Sequence, residues 1–329
     1  NSAGVALNRM SETAALTMNG GNFNYIGNGT VSTAESTGAL TLSSGHNIVT
    51  VIPGAGGSTT MTFASLSRAA GASVLFRGAN LGSNPAPNVA NIMFVSTPTL
   101  TGSAGSANST TISVIKGAFG DFSVFGNGTD MVTYNIGNTN GLRLLNGAGF
   151  SGEYSSTLTA NTNVKLTADT VASGVSINSL VLNGFDITNP GGAATLTVAS
   201  ASHSGNVIMN STGNIAGSNT TLGITTFETN IHATGNSAIS AVIGTATTGS
   251  LTLSGTGNVT LNTAALYTGA TNINRATLTY GASNLISSGA VTVGNGTLDI
   301  AGNSDTVGAV TLQNGTITGT SGILTGTSY

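Results

Sequence analysis

The sequence predicts an all-β chain coiled as a right-handed parallel β-helix (β-solenoid) with rungs of about 19–24 residues, and three observations carry that expectation. Only 5% of its 329 residues are charged, while 48 are glycine. The remainder is dominated by Thr, Ser, Asn, Ala, Val, Leu and Ile, so β-branched residues favour strands while Asn and Gly supply the positive φ of tight corners. Apolar positions also recur at a fixed period. Ala-Val-Thr-Val-Gly-Asn-Gly-Thr-Leu at 290–298 returns as Ala-Val-Thr-Leu-Gln-Asn-Gly-Thr-Ile at 309–317, an offset of 19 at each matched position.

Taken in chain order, residues 1–78 read as N-terminal rungs, with Met18, Leu42 and Leu66 at successive intervals of 24. Residues 79–105 contain Pro85, Pro87 and Pro98. Proline donates no ladder hydrogen bond, so 79–91 is expected to leave the coil as a surface excursion, with a connection after it. Residues 106–248 resume the pattern at 180–187, 195–198, 206–209, 224–227 and 238–243. Residues 249–329 carry the tightest repeat, and the four stretches are expected to form one continuous solenoid. Two interior ladders follow from the period: Ile273, Val293 and Leu312, and Leu278, Leu298 and Ile317. Asn295-Gly296 and Asn314-Gly315 allow either hairpin tips between antiparallel strands or corners of a parallel coil. The matching apolar site in each repeat favours the corner, and the general handedness of parallel crossovers gives the right-handed sense.

Composition also removes whole classes of function. Hydrophobic content of 39% argues for a folded chain, not a disordered one. Seven Lys and Arg against a net charge of −3 make no basic stripe, so no nucleic-acid partner is expected. Without cysteine there is no disulfide frame and no thiolate metal site. No run of about 18 apolar residues offers a membrane-spanning helix. Aromatics at 5%, with no Trp, do not supply the girdles of an outer-membrane barrel. The chain opens at Asn1 without a basic-then-apolar leader, which suggests a mature or excised product.

Residues 249–278 contain Gly255, Gly257, Val259, Leu261, Tyr267, Thr268, Gly269, Thr271, Ile273, Asn274, Thr277 and Leu278 in a characteristic order. This stretch resembles the autotransporter-associated β-strand repeat, also called the passenger-associated transport repeat. It departs from the motif at Ser254, Ala270 and Ala276. The resemblance implies a β-helical passenger that is extracellular or exposed on a bacterial cell surface, of a type that often has no catalytic activity.

Glycan-cleaving β-helices need paired carboxylates, or a carboxylate with a base, facing one groove. The ten acids here (Glu12, Glu35, Asp121, Asp130, Glu153, Asp169, Asp186, Glu228, Asp299 and Asp305) show no such recurrence, so no catalytic residue and no cofactor is assigned. Glu228 and His232, four residues apart, share a strand face but lie about 13 Å apart, and they read as solvated side chains. His46 and His203 sit beside Gly or Ser and read as loop residues at bends. Gly126-Asn-Gly-Thr-Asp-Met partly matches a calcium-binding nonapeptide, which makes Asp130 the one weak metal candidate in a segment otherwise read as an Asn-Gly corner.

The expected function is a non-catalytic structural protein of the cell surface or extracellular matrix, building a fibre by end-to-end stacking. A glycan-binding adhesin and a polysaccharide-active enzyme are the alternatives. The partners are accordingly another copy of the chain and cell-surface or matrix polysaccharide. Charge is sparse at both ends of the sequence and neither terminus shows a cap, although residues 1–15 leave room for a short covering segment. The contact is assigned to Leu16, Met18 and Phe23 on one side and to Leu312, Ile317 and Thr318 on the other.

Overall fold

The computed structural model describes residues 9–134, 140–198, 205–217, 220–223, 228–244, 248–286 and 288–329. Strands and turns account for all regular structure among the described residues, with no helix. The chain forms two compact units, Asn1–Thr101 with Gly105–Glu153, and Gly102–Ala104 with Tyr154–Tyr329. That division falls inside the 106–248 stretch that the repeats treat as continuous.

In the first unit, one rung comprises β1 (Leu16–Asn19), β2 (Asn22–Ile26) and β3 (Thr33–Thr37). The next has β4 (Leu40–Ser44), β5 (His46–Ile52) and β6 (Thr59–Phe63), and the third has β7 (Leu66–Arg68), β8 (Ser73–Gly78) and β9 (Ala90–Phe94). Each strand pairs in parallel with its counterpart one rung on, which is the stacking of a parallel β-helix. Met18 lies opposite Leu42 as the 24-residue spacing requires. The following rung is longer, so Leu66 pairs with Leu40 and Arg68 with Leu42. An even shift of two leaves the same face inward, so the core survives the corrected register.

The excursion is shorter than the prolines suggest. Pro85, Ala86 and Pro87 are exposed in turns, but Leu81 is fully buried and the chain is back in a ladder at Ala90, opposite Thr59. Parallel stacking then changes character. After β10 (Leu100–Thr101) and β11 (Val114–Ile115), which pair antiparallel, β12 (Ala118–Asp121) adds in parallel to β8. β13 (Asp130–Tyr134) and β14 (Leu142–Leu144) continue the sheet antiparallel.

The second unit is a parallel coil along most of its length. Nine strands from Asn163–Lys165 to Leu324–Ser328 stack into one sheet, and five from Asn236–Ile239 to Thr316–Thr318 form another. Four strands, Val175–Ile177, Ala194–Val198, Thr220–Gly223 and Val242–Ile243, make a third face in the earlier rungs. Ile273 faces Val293 and Val293 faces Leu312; Leu278 faces Leu298 and Leu298 faces Ile317. Asn295 and Asn314 have φ of 54° and 57°, and the strands flanking them run parallel to the neighbouring rungs, so both Asn-Gly pairs are corners. Tyr267, from the repeat-like stretch, is buried against this core with its hydroxyl 2.6 Å from the Thr271 hydroxyl.

Candidate functional site: carboxylates in corners and an open rung

Glu35, Asp121, Glu153, Asp169, Asp186, Glu228, Asp299 and Asp305 accept hydrogen bonds that hold the coil's own backbone or neighbouring side chains. Glu153 is the most enclosed. It takes two hydrogen bonds from the Arg143 guanidinium, at 2.6 and 2.7 Å, and the backbone N–H groups of Asn108 and Asn146 also donate to it. Both side chains are fully buried, and the guanidinium carbon sits 3.7 Å from the centre of the Phe150 ring. Burial alone would raise the Glu153 pKa, but the Arg143 hydrogen bond, the two N–H donors and the Arg143 charge outweigh it and hold the carboxyl below its ordinary value.

Asp305 binds the Tyr280 hydroxyl at 2.8 Å and the N–H groups of Leu285, Ile286 and Thr306. Asp121 caps its own loop through the N–H groups of Ser123 and Gly128, while Arg77 donates to the Gly126 carbonyl of the same loop. Asp169, Asp186 and Asn214 form a ladder up one corner, each accepting a backbone N–H from the next rung (Asp186, Asn214 and Ala238 respectively). Asp299 accepts from Ala301 N–H, Glu35 from Arg9 N–H, and Glu228 from the Thr252 hydroxyl. Acceptors engaged in this way fix geometry.

Three readings of single residues change. Glu228 and His232 are 5% and 0% exposed, so neither is solvated. The strand of His232, Thr229–Ala233, which Glu228 immediately precedes, lies inside the nine-stranded sheet and is covered on both faces. His232 Nδ1 lies 3.2 Å from the Ser254 hydroxyl of the next rung. His46 is likewise buried at the start of β5, with Nδ1 2.9 Å from the Ser73 hydroxyl one rung on. A His stacked beneath a Ser thus occurs in both units, and no local sequence signal separates it from a loop histidine. His203 lies outside the described residues. Asp130 opens β13, opposite Gly120 of an antiparallel partner. Residues 122–129 are the loop of that hairpin and not a parallel corner, and calcium-binding nonapeptides depend on parallel stacking. Among the described residues, no three His, Asp or Glu side chains gather as a metal site would need.

The end-contact residues separate into two groups. On the N-terminal side, a short covering segment of the kind that residues 1–15 leave room for is present. The Arg9 N–H donates to Glu35, the carbonyls of Ser11 and Ala14 accept from the Thr37 hydroxyl, and Met10 packs on the core. Residues 9–14 therefore cover the polar inward face of β3, where Thr33 stands above Thr59 while Glu35 and Thr37 stand above the apolar Met61 and Phe63. Met18 is buried, and Leu16 and Phe23 are half-buried. At the other end, Leu312 is 53% exposed although it belongs to the Ile273 and Val293 ladder. The reason is stacking: Leu324–Ser328 lies over Asp305 to Ala309 only, so no strand among the described residues lies over Leu312. Ile317 is half-buried and Thr318 exposed, and with Ile300, Leu324 and Tyr329 they line an open hollow of about 380 Å³. Ile323 is 67% exposed.

Comparison with protein-family models, curated proteins and solved structures finds no match to this chain.

Proposed function

We propose that this chain is a non-catalytic structural module of a cell-surface or extracellular assembly, and that its open rung at 310–318 stacks against a rung of another copy. The observation that carries the reading is the exposure of Leu312, a position whose ladder partners Val293 and Ile273 are fully buried one and two rungs earlier. An exposed strand edge with an apolar inward face is completed most simply by a further rung in register. The partner edge lies on β1 and the Asn22–Asn24 part of β2, outer strands of their sheets; residues 9–14 cover β3, and Arg9 also lies over Tyr25 and donates to the Ile26 carbonyl at the end of β2. Such a contact joins two different surfaces and does not close, so it propagates into filaments. The commitment of the carboxylates to corners supports the non-catalytic part, and the repeat-like stretch at 249–278 supports the surface location.

Electron microscopy and sedimentation at micromolar concentration test the reading. Filaments or concentration-dependent oligomers are expected, and Leu312→Lys or Ile317→Lys should abolish them while leaving the β-sheet circular dichroism unchanged. A strict monomer at every concentration, or filaments indifferent to both lysines, would overturn it.

A further inference from the structure

The outer face of the five-stranded sheet in the second unit is distinct from the apolar edge that stacks. Its strands, from Asn236–Ile239 to Thr316–Thr318, are parallel and matched residue for residue. Val259, Leu278, Leu298 and Ile317 pack on the core, so their neighbours in each strand point outward and form two columns. One column contains Thr277, Thr297 and Thr316 in succession, and the other holds Thr260, Thr279 and Thr318. Asn236, Asn258, Ala238 and Asp299 complete the ten positions, and none of the ten is buried. Of the six Thr hydroxyls only that of Thr279 is engaged, donating to Asn258 Oδ1 at 2.9 Å; the other five have no partner among the described residues.

We propose that this face binds ice. Threonine is stiff at χ1, so each hydroxyl and each methyl keeps a fixed place on the sheet. Those places repeat about 4.8 Å apart up the coil and about 6.6 Å apart along a strand, values near two repeats of the ice lattice. Hydroxyls held in position before contact take up lattice waters with little further loss of freedom, while the methyls between them order water without competing for its hydrogen bonds. Charge narrows the choice of partner. Asp299 is the one ionisable group among the ten positions, and its Oδ1 already accepts the Ala301 N–H, so the face suits an uncharged surface. Shape narrows it further, because a sheet face would cover one side of a small solute, whereas ligand pockets enclose most of theirs. A polysaccharide would find no aromatic ring to stack on, and a protein none of the Trp, Tyr or Arg that anchor interfaces. An extended, uncharged and periodic surface is what the columns match.

Thermal hysteresis and ice recrystallisation, measured beside serum albumin at equal mass, test the assignment. The chain should shape growing crystals, slow their coarsening and open a gap between melting and freezing points that widens with concentration. Thr297→Lys should reduce the gap severalfold, and Thr277→Lys added to it should abolish the gap. Circular dichroism and the thermal midpoint should stay those of the parent, since outward side chains carry no core packing. Thr292→Lys, on the outer face of the nine-stranded sheet, should leave the ice activity intact. Crystals indistinguishable from those grown with albumin, activity that survives the double lysine change, or equal loss with Thr292→Lys would each overturn the proposal. Retention on cellulose or chitin that the double change abolishes, with no effect on ice, would overturn it in favour of a polysaccharide.

Discussion

The rungs of β1 to β9 and those of residues 251–318 solve the same packing problem at two widths. In the first, Leu40 stacks on Leu66 and His46 on Ser73, steps of 26 and 27 residues. In the second, Thr271 stacks on Val291 and Val291 on Val310, steps of 20 and 19. The wider rung is filled with rings. Phe23, Phe63, Phe94, Phe76 and Tyr134 form a chain with centroids 5.8 to 6.2 Å apart, the four phenylalanines all lying in strands β2 to β9. The narrower rung holds Leu, Ile and Val, with Tyr267 and Tyr280 as its buried aromatics. Rung length therefore sets the side-chain volume that the interior demands, because interiors pack to a common density. The wide rung also needs its strand ends closed. The Tyr134 hydroxyl does this for β9, donating to the Phe94 carbonyl at 2.7 Å and accepting from the Phe94 N–H at 3.0 Å.

The largest effects should come from the wide rungs and their loops. Phe94→Ala removes the ring that touches Phe63, Phe76 and Tyr134 and should destabilise the first unit by about 3–5 kcal/mol. Glu153→Gln leaves Arg143 buried without its counter-charge, and about 3–5 kcal/mol is expected there too. Urea unfolding followed by circular dichroism measures both, and a loss below about 1 kcal/mol in either would mean that the site relaxes or admits water. The parent chain should show the Glu153 linkage directly. Its carboxyl is held below the ordinary value in the folded state, so its contribution is present above that value and is lost as pH falls through the folded one. An acid titration of the thermal midpoint should steepen below about pH 4.5 and flatten in Glu153→Gln.

The reverse experiment belongs to the narrow rung. Val293→Phe places a ring where the neighbouring ladder positions are Ile273 and Leu312, and overpacking should cost about 1–3 kcal/mol. If the phenylalanine is accepted at no cost, the narrow coil has spare volume and the link between rung length and residue size fails.

An alkaline limit should arise in the same coil. Burial raises the pKa of Tyr280 first, and the charge and hydrogen bond of Asp305 raise it further; Tyr267 is raised by burial, which outweighs its Thr271 hydrogen bond. For groups whose folded value is raised, the stabilising contribution is complete below the unfolded value of about 10 and is lost as pH rises above it. The thermal midpoint should hold to about pH 9 and drop beyond pH 10. Tyr280→Phe should lessen that drop while costing about 1–2 kcal/mol at neutral pH through the lost hydrogen bond to Asp305. An unchanged alkaline slope would remove Tyr280 as its source.

How much of this was legible in the chain follows the same contrast. The short rungs announce themselves, because a repeat of 19 with Asn-Gly at fixed places leaves one stacking register, and the ladders through Ile273 and Leu278 follow from counting. In the wide rungs, loop insertions change the step from 24 to 26, so Leu42 and Leu66 look like partners when Leu40 and Leu66 are. The switch to antiparallel pairing at 118–144 has no periodic signal. Burial of Glu228 and His232 depends on what covers the outer face of a sheet, a tertiary property that alternation within one strand does not encode. The cover over β3 depends on residues 9–14, whose mixed composition resembles neither strand nor cap.

The smallest expected effect tests the corner that makes the narrow rung possible. Gly255, Arg275, Asn295 and Asn314 occupy the same corner on four successive rungs, one residue beyond the Ser254–Asn274 pair and two beyond the Val293–Leu312 pair, with φ of 101°, 67°, 54° and 57°. Three of the four are Gly or Asn, the residues that accept this conformation most readily, whereas Arg275 is an exposed long side chain in a left-handed backbone. Its N–H already donates to the Gly294 carbonyl, so the corner is held in place and the strain is local. Arg275→Asn should therefore stabilise the second unit by about 0.5–1 kcal/mol, and Asn295→Arg should destabilise it by a similar amount. The pair is best read together from urea midpoints at constant slope, because opposite shifts isolate the backbone term from any effect of charge. If both changes lower the midpoint, the Arg275 side chain supplies a contact that outweighs its backbone strain, and the corner ladder is not governed by φ alone.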